Sequence, residues 1–221
     1  MRRIAILAGL TAAFAAALAG VANADTTLGS LAMPAGSSSR DCNNQVIAQL
    51  TSDPSTPYTV PSSPVGPLTR WQVNTTGSSA STPVTLVVLR STDAINYTVV
   101  GADTQAIPSS APGNIATFSV PSPIAVSGGD TLALYSPGTT FSCYFRDGAT
   151  PAADMLISLD TGATPVVGQG LTRDDTSPPG YTLNLAATLT APAPKKKCKK
   201  HKKKRSAESA KKKKCKKKKK H

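Results

Sequence analysis

From Tyr58 onward, apolar and polar residues alternate in short runs separated by proline, glycine and serine clusters. Period-two runs of this length read as strands with one buried face. In Leu68-Thr-Arg-Trp-Gln-Val, Trp71 and Val73 share a face. Pro83-Val-Thr-Leu-Val-Val-Leu-Arg is nearly continuous and β-branched, the pattern of a strand buried on both faces. Tyr97-Thr-Val-Val follows, then Ala116, Phe118 and Val120 alternate with Thr117 and Ser119 until Pro121 and Pro123 interrupt. Ile124 and Val126 lead into a turn at Gly128-Gly129-Asp130, in which Asp130 reads as a turn residue. Beyond it come Leu132 and Leu134; Phe141, Cys143 and Phe145; Met155, Ile157 and Leu159; and Leu183, Leu185, Ala187 and Leu189.

No body segment carries a long 3.6-residue period, so the fold expected is all-β. Eight to ten short strands point to a single antiparallel β-sandwich of jelly-roll kind. Its expected core is Trp71, Val73, Leu86, Val88, Phe118, Val120, Ile124, Val126, Leu132, Leu134, Phe141, Phe145, Ile157, Leu183 and Leu185. Residues 25–57 read as a lead-in, with a short helix over Asn43 to Leu50 and a loop at Ala35 to Ser39. The sandwich domain is placed at 58–191, and 192–221 is a proline hinge and tail.

The first residues form an export signal. Arg2 and Arg3 precede an apolar, alanine-rich run ending at Val21, and Ala22-Asn23-Ala24 supplies a small-x-small cleavage pattern before Asp25. Residues 1–24 are therefore expected to be a helical or disordered signal peptide. No later apolar run is long enough to span a bilayer, so no transmembrane segment is expected after cleavage. The destination is outside the cell or on its surface.

Charge divides the chain more sharply than hydropathy does. The net charge is +13, yet all seventeen lysines lie between Lys195 and His221. Lys195, Lys196 and Lys197 precede Cys198; Lys199 and Lys200 precede His201; Lys202, Lys203, Lys204 and Arg205 follow. After Ser206-Ala-Glu-Ser-Ala, Lys211, Lys212, Lys213 and Lys214 precede Cys215, and Lys216, Lys217, Lys218, Lys219 and Lys220 lead to His221. Residues 25–194 hold eleven aspartates, five arginines and no lysine or glutamate. The lysine runs repel one another, which argues for a disordered tail that binds polyanions by charge. Anionic cell-envelope polymers are the expected partners. Sequence-specific nucleic acid is not, because the tail has no aromatic residue to stack bases.

The runs TVPSSPVGPLTRWQV, PVTLVVLR, YTVVG, ATFSVPSPIAVSGGDTLALY and FSCYF, with the tail KKKCKKHKKK, resemble uncharacterised exported bacterial β-sandwich proteins. Many of those also end in lysine-rich tails punctuated by cysteine. The resemblance spans about Thr59 to His221. It implies fold and export, and no activity.

Four cysteines in an exported chain read as two disulfides with three connectivities. Pairing Cys42 with Cys143 would staple the lead-in across the sandwich, and closing a loop of about 100 residues is worth roughly 4.7 kcal/mol. Free thiols are the alternative. Cys198 and Cys215, among ammonium groups that favour the thiolate, would bridge each other or a second chain. With His201 they fit no zinc spacing, and no metal or cofactor is expected.

Catalysis is argued against by what the body lacks. The two histidines, His201 and His221, are in the tail, so no body serine has an imidazole base. Without a body lysine, a Ser-Lys pair is excluded as well. No phosphate-binding glycine pattern is present. Asp174-Asp175 reads as an exposed loop with too few ligands for calcium. An enzymatic reading would need Asp154, Asp160, Asp174 or Asp175 to converge in a cleft. The functional alternative is a carbohydrate-binding module with Tyr58, Tyr135, Tyr144 and Tyr181 as a platform and the tail as a retention aid. Aromatics make up only 5% of the chain, which weighs against it.

Overall fold

The structure, a computed structural model, describes residues 24–33, 37–51, 57–63, 65–111, 114–146, 155–176 and 181–191. These form thirteen strands and no α-helix. The strands are β1 (Thr26–Ser30), β2 (Ser38–Asp41), β3 (Gln45–Thr51), β4 (Leu68–Asn74), β5 (Pro83–Ser91), β6 (Asn96–Ala106) and β7 (Ile115–Ile124). They continue with β8 (Thr131–Tyr135), β9 (Ser142–Arg146), β10 (Met155–Asp160), β11 (Gly170–Thr176), β12 (Tyr181–Leu183) and β13 (Leu185–Leu189). The all-β expectation holds. Residues 1–23 of the expected signal peptide, 1–24, and the whole of the expected hinge and tail, 192–221, lie outside the described residues.

The expected single sandwich is corrected. A four-stranded sheet, β1-β13-β4-β7, faces a closed barrel of β10-β11-β6-β5-β8-β3, and a three-stranded sheet, β12-β9-β2, completes the fold. Every pairing between these strands is antiparallel. Two cores result. The larger holds Trp71, Val73, Phe118 and Leu185 from the four-stranded sheet against Ile47, Leu86, Val88, Leu132 and Leu134 from the barrel wall. The smaller draws Val46, Ala48, Val87, Leu89, Tyr97, Val99, Ala133, Tyr135, Leu159 and Leu171 from all six barrel strands and fills the lumen.

This explains the continuous apolar run of β5. Side chains alternate across a strand, so Leu86 and Val88 face the larger core while Val87 and Leu89 enter the lumen. Strand β8 does the same with Leu132 and Leu134 against Ala133 and Tyr135. So does β3, with Ile47 opposed to Val46 and Ala48.

That last strand replaces the short helix expected over Asn43 to Leu50. Asn43 and Asn44 take positive φ angles of 51° and 64° and turn the chain, with the Gln45 N–H donating to the Cys42 carbonyl at 3.0 Å. Asparagine tolerates this region better than most residues, and a dry surface on each side then favours a strand. The lead-in thus contributes three strands to the fold, with β1 paired along β13 from Thr26↔Leu189 to Ser30↔Leu185.

Pro121 and Pro123 do not end their strand. β7 is the edge of its sheet, and the pairing shifts between Leu68 and Arg70 opposite the proline segment. An edge tolerates missing donors. Asp174 and Asp175, expected in a loop, lie within β11. Of the expected core, Val126 is only partly buried, and the Ile157 side chain lies outside the described residues. The others are buried.

Candidate functional site: an arginine–tyrosine sheet face

Cys42 and Cys143 form a disulfide, with Cα atoms 5.1 Å apart and a sequence separation of 101. Both cysteines are buried. The bond ties the entry to β3 onto β9. Asn184, fully buried, joins the same region to the four-stranded sheet. Its Oδ1 accepts from the Asn74 N–H at 2.8 Å, and its Nδ2 donates to the carbonyls of Asn74 and Ser142, each at 2.7 Å. A buried amide satisfied this fully fixes the junction where β12 becomes β13. Cys198, Cys215 and every tail cation from Lys195 to Lys220 lie outside the described residues.

The aromatic residues separate into structural and accessible groups. Trp71 is fully buried, its ring 4.3 Å from that of Phe118, and its Nε1 donates to Asp103 Oδ2 at 2.7 Å. Tyr58 is buried as well, with its hydroxyl donating to the Leu183 carbonyl at 2.6 Å. Tyr135 fills the barrel lumen. These rings offer no stacking surface, so two of the four tyrosines weighed for sugar contact, Tyr58 and Tyr135, belong to the interior.

Tyr144 and Tyr181 are only partly buried. They meet edge to face with centroids 5.3 Å apart, and the Arg146 guanidinium lies 5.7 Å from the Tyr181 centroid. Strand register places them: Tyr181 pairs Arg146, which pairs Ser38, and Leu183 pairs Tyr144, which pairs Arg40. Arg40, Tyr144, Arg146 and Tyr181 therefore share one face of the three-stranded sheet. Burial pushes the Tyr144 hydroxyl above its ordinary pKa; Tyr181 and Asp41 add to that rise and the Arg40 charge opposes it. No local periodicity singled out this face, because its members come from three strands distant in sequence.

Asp130 does more than turn the chain. It is 1% exposed and accepts both Arg90 Nε at 2.8 Å and Arg90 Nη2 at 2.9 Å, a bidentate pair, while also accepting the Ser127 N–H at 2.7 Å. Gly129 supplies the positive φ of 91° the turn needs. At Gly128 a β-carbon would sit 2.7 Å from the Ser62 Cα, so backbone packing excludes a side chain. Arg90 is held by structure.

Asp174 is exposed, and Gln45 Nε2 donates to its carboxylate at 3.5 Å. Asp160 and Asp175 fall on β10 and β11, and Asp154 lies outside the described residues. Among the described residues, no three histidine, cysteine, aspartate or glutamate side chains gather as a metal would require. A groove of about 450 Å³ runs beside β7, lined by Gln72, Pro108, Ser110, Ala111, Ile115, Ala116 and Thr117, with no ionisable group among them.

The chain matches no protein-family model, and neither curated proteins nor solved structures give a match.

Proposed function

We propose that this is an exported, non-catalytic surface or extracellular protein whose tail, Lys195–His221, holds it to anionic envelope polymers or other polyanions. The observation carrying this reading is the complete segregation of lysine: seventeen in the tail and none elsewhere. Selection for solubility alone would spread cations over the surface, where interspersed charge serves best. Concentrating them in one segment creates a single-sign field suited to long-range attraction. The Cys42–Cys143 disulfide agrees with residence in an oxidising compartment.

Binding of the full-length chain to duplex DNA, used as a polyanion of known charge density, tests the reading. The slope of log affinity against log salt is about −0.9 per phosphate neutralised, so about ten engaged lysines give a slope near −9. Replacing the tail lysines by glutamine should abolish binding. A shallow slope, or binding that survives the glutamine variant, would remove the tail from the account.

A further inference from the structure

We infer that the outward face of β2, β9 and β12 binds an acidic polysaccharide through Arg146 and Arg40, with Tyr181 and Tyr144 between them. The inference rests on the polyanion reading and narrows the ligand from any polyanion to a carboxylate-bearing sugar chain.

Geometry makes the case. Arg146 sits on the Tyr181 ring, an attraction that orders a long side chain without consuming its in-plane donors. A guanidinium held this way presents a preorganised fork for a carboxylate. Arg40 stands on the neighbouring strand, diagonal to Arg146 across the Ser38↔Arg146 and Arg40↔Tyr144 pairs. Such diagonal neighbours lie about 7–8 Å apart, their β-carbons somewhat closer, so two cations face one linear polymer. Both arginines are exposed. The ion pair found among the described residues is Arg90–Asp130, and Arg40 and Arg146 enter none there.

The tyrosines decide the class of ligand. Tyr181 carries a guanidinium on its ring and meets Tyr144 edge-on, so the pair offers no open parallel slot for a nucleic-acid base. Both rings are partly buried against the larger core and stand beside two exposed arginines. Those groups suit a ligand with alternating C–H surface, hydroxyls and carboxylates. A sugar acid has all three.

The test uses the full-length chain with four probes: polygalacturonate, neutral dextran, polyphosphate and oligothymidylate. At about 1 M NaCl the Debye length is about 3 Å and charge-only binding is suppressed. Polygalacturonate should still bind, at least about tenfold tighter than the other three: dextran has no carboxylate for the fork, polyphosphate can meet the fork but has no C–H surface for the tyrosines, and oligothymidylate finds no open ring face to stack on. Arg146→Gln, at an exposed position, should remove that advantage while leaving low-salt polyphosphate binding intact. The urea unfolding midpoint of Arg146→Gln should match that of the native chain, which separates lost recognition from lost folding. Equal high-salt binding of polygalacturonate and polyphosphate would overturn the inference. So would preference for oligothymidylate or dextran, or indifference to Arg146→Gln. Absent polyphosphate binding at low salt is the distinct signature of failure of the tail reading.

Discussion

The body and the tail of this chain hold information in different ways. In the body, order is everything: in β5, Val87 and Leu89 face the barrel lumen while Leu86 and Val88 face the larger core. Moving the strand by one residue would exchange the two sets. The tail repeats one residue type, and a charge-only partner would respond to the number of lysines and not to their arrangement. The difference teaches where mutations should matter. Single substitutions should be costly in the body and nearly silent in the tail.

The largest expected effect in the body is loss of the disulfide. Replacing Cys42 and Cys143 together by serine should destabilise the fold by roughly 4.7 kcal/mol, measured by urea unfolding under oxidising conditions, because the bond closes so long a loop. The same double change in Cys198 and Cys215 should leave the unfolding midpoint where it was. A shift there would break the contrast between the regions.

Next comes Trp71→Ala. It empties a fully buried site, removes the contact with Phe118 and leaves Asp103 without its indole donor. The expected cost is about 3–5 kcal/mol, and a cost under about 1 kcal/mol would mean that the two layers repack freely. Asp130→Asn is smaller. It leaves an amide N–H₂, a donor, facing an Arg90 or Ser127 N–H where an oxygen accepted, but Arg90 is 48% exposed and its guanidinium can turn to solvent, so the unfolding midpoint should fall by less than it does for Trp71→Ala.

The smallest effect is a titration. The Asn96 side chain and the N–H groups of Ile95 and Asn96 hold the Asp93 carboxyl below its ordinary range. A depressed folded-state pKa contributes stability above the unfolded value, about 3.9 for aspartate, and loses it as pH falls through the folded value. Carboxyl NMR should place the Asp93 midpoint below that reference, and Asn96→Ala should move it back up. A midpoint unchanged by Asn96→Ala would show that the side-chain bond contributes nothing.

The contrast also marks how far the sequence could be read. Strands with one dry face were legible: Trp71 and Val73, or Phe118 and Val120, announce their burial by alternation. β5 announced burial on both sides through its unbroken apolar run. β3 did not, because Val46, Ile47 and Ala48 divide between two cores and the short run lacks a period of its own. Barrel closure was equally hidden, since it depends on β3 meeting β10, segments more than a hundred residues apart. The prolines of β7 suggested interruption because being an edge strand is a property of the whole sheet.

The same limit applies to the charged residues. Arg90 and Arg146 are indistinguishable by type and by local pattern, yet one is bound to Asp130 across 40 positions and the other faces outward on Tyr181. The Cys42–Cys143 pair was legible because cysteines are few in the body. The Arg40–Tyr144–Arg146–Tyr181 face was not, because no spacing rule links its strands.

The most direct measurement is the salt dependence of DNA binding by the full-length chain beside a version whose residues 195–221 are shuffled at constant composition. If the tail acts through charge alone, both chains should give superimposable plots of log affinity against log salt, with a slope near −9 when about ten lysines engage. Divergent plots, or affinity that resists salt in the native order only, would contradict the account.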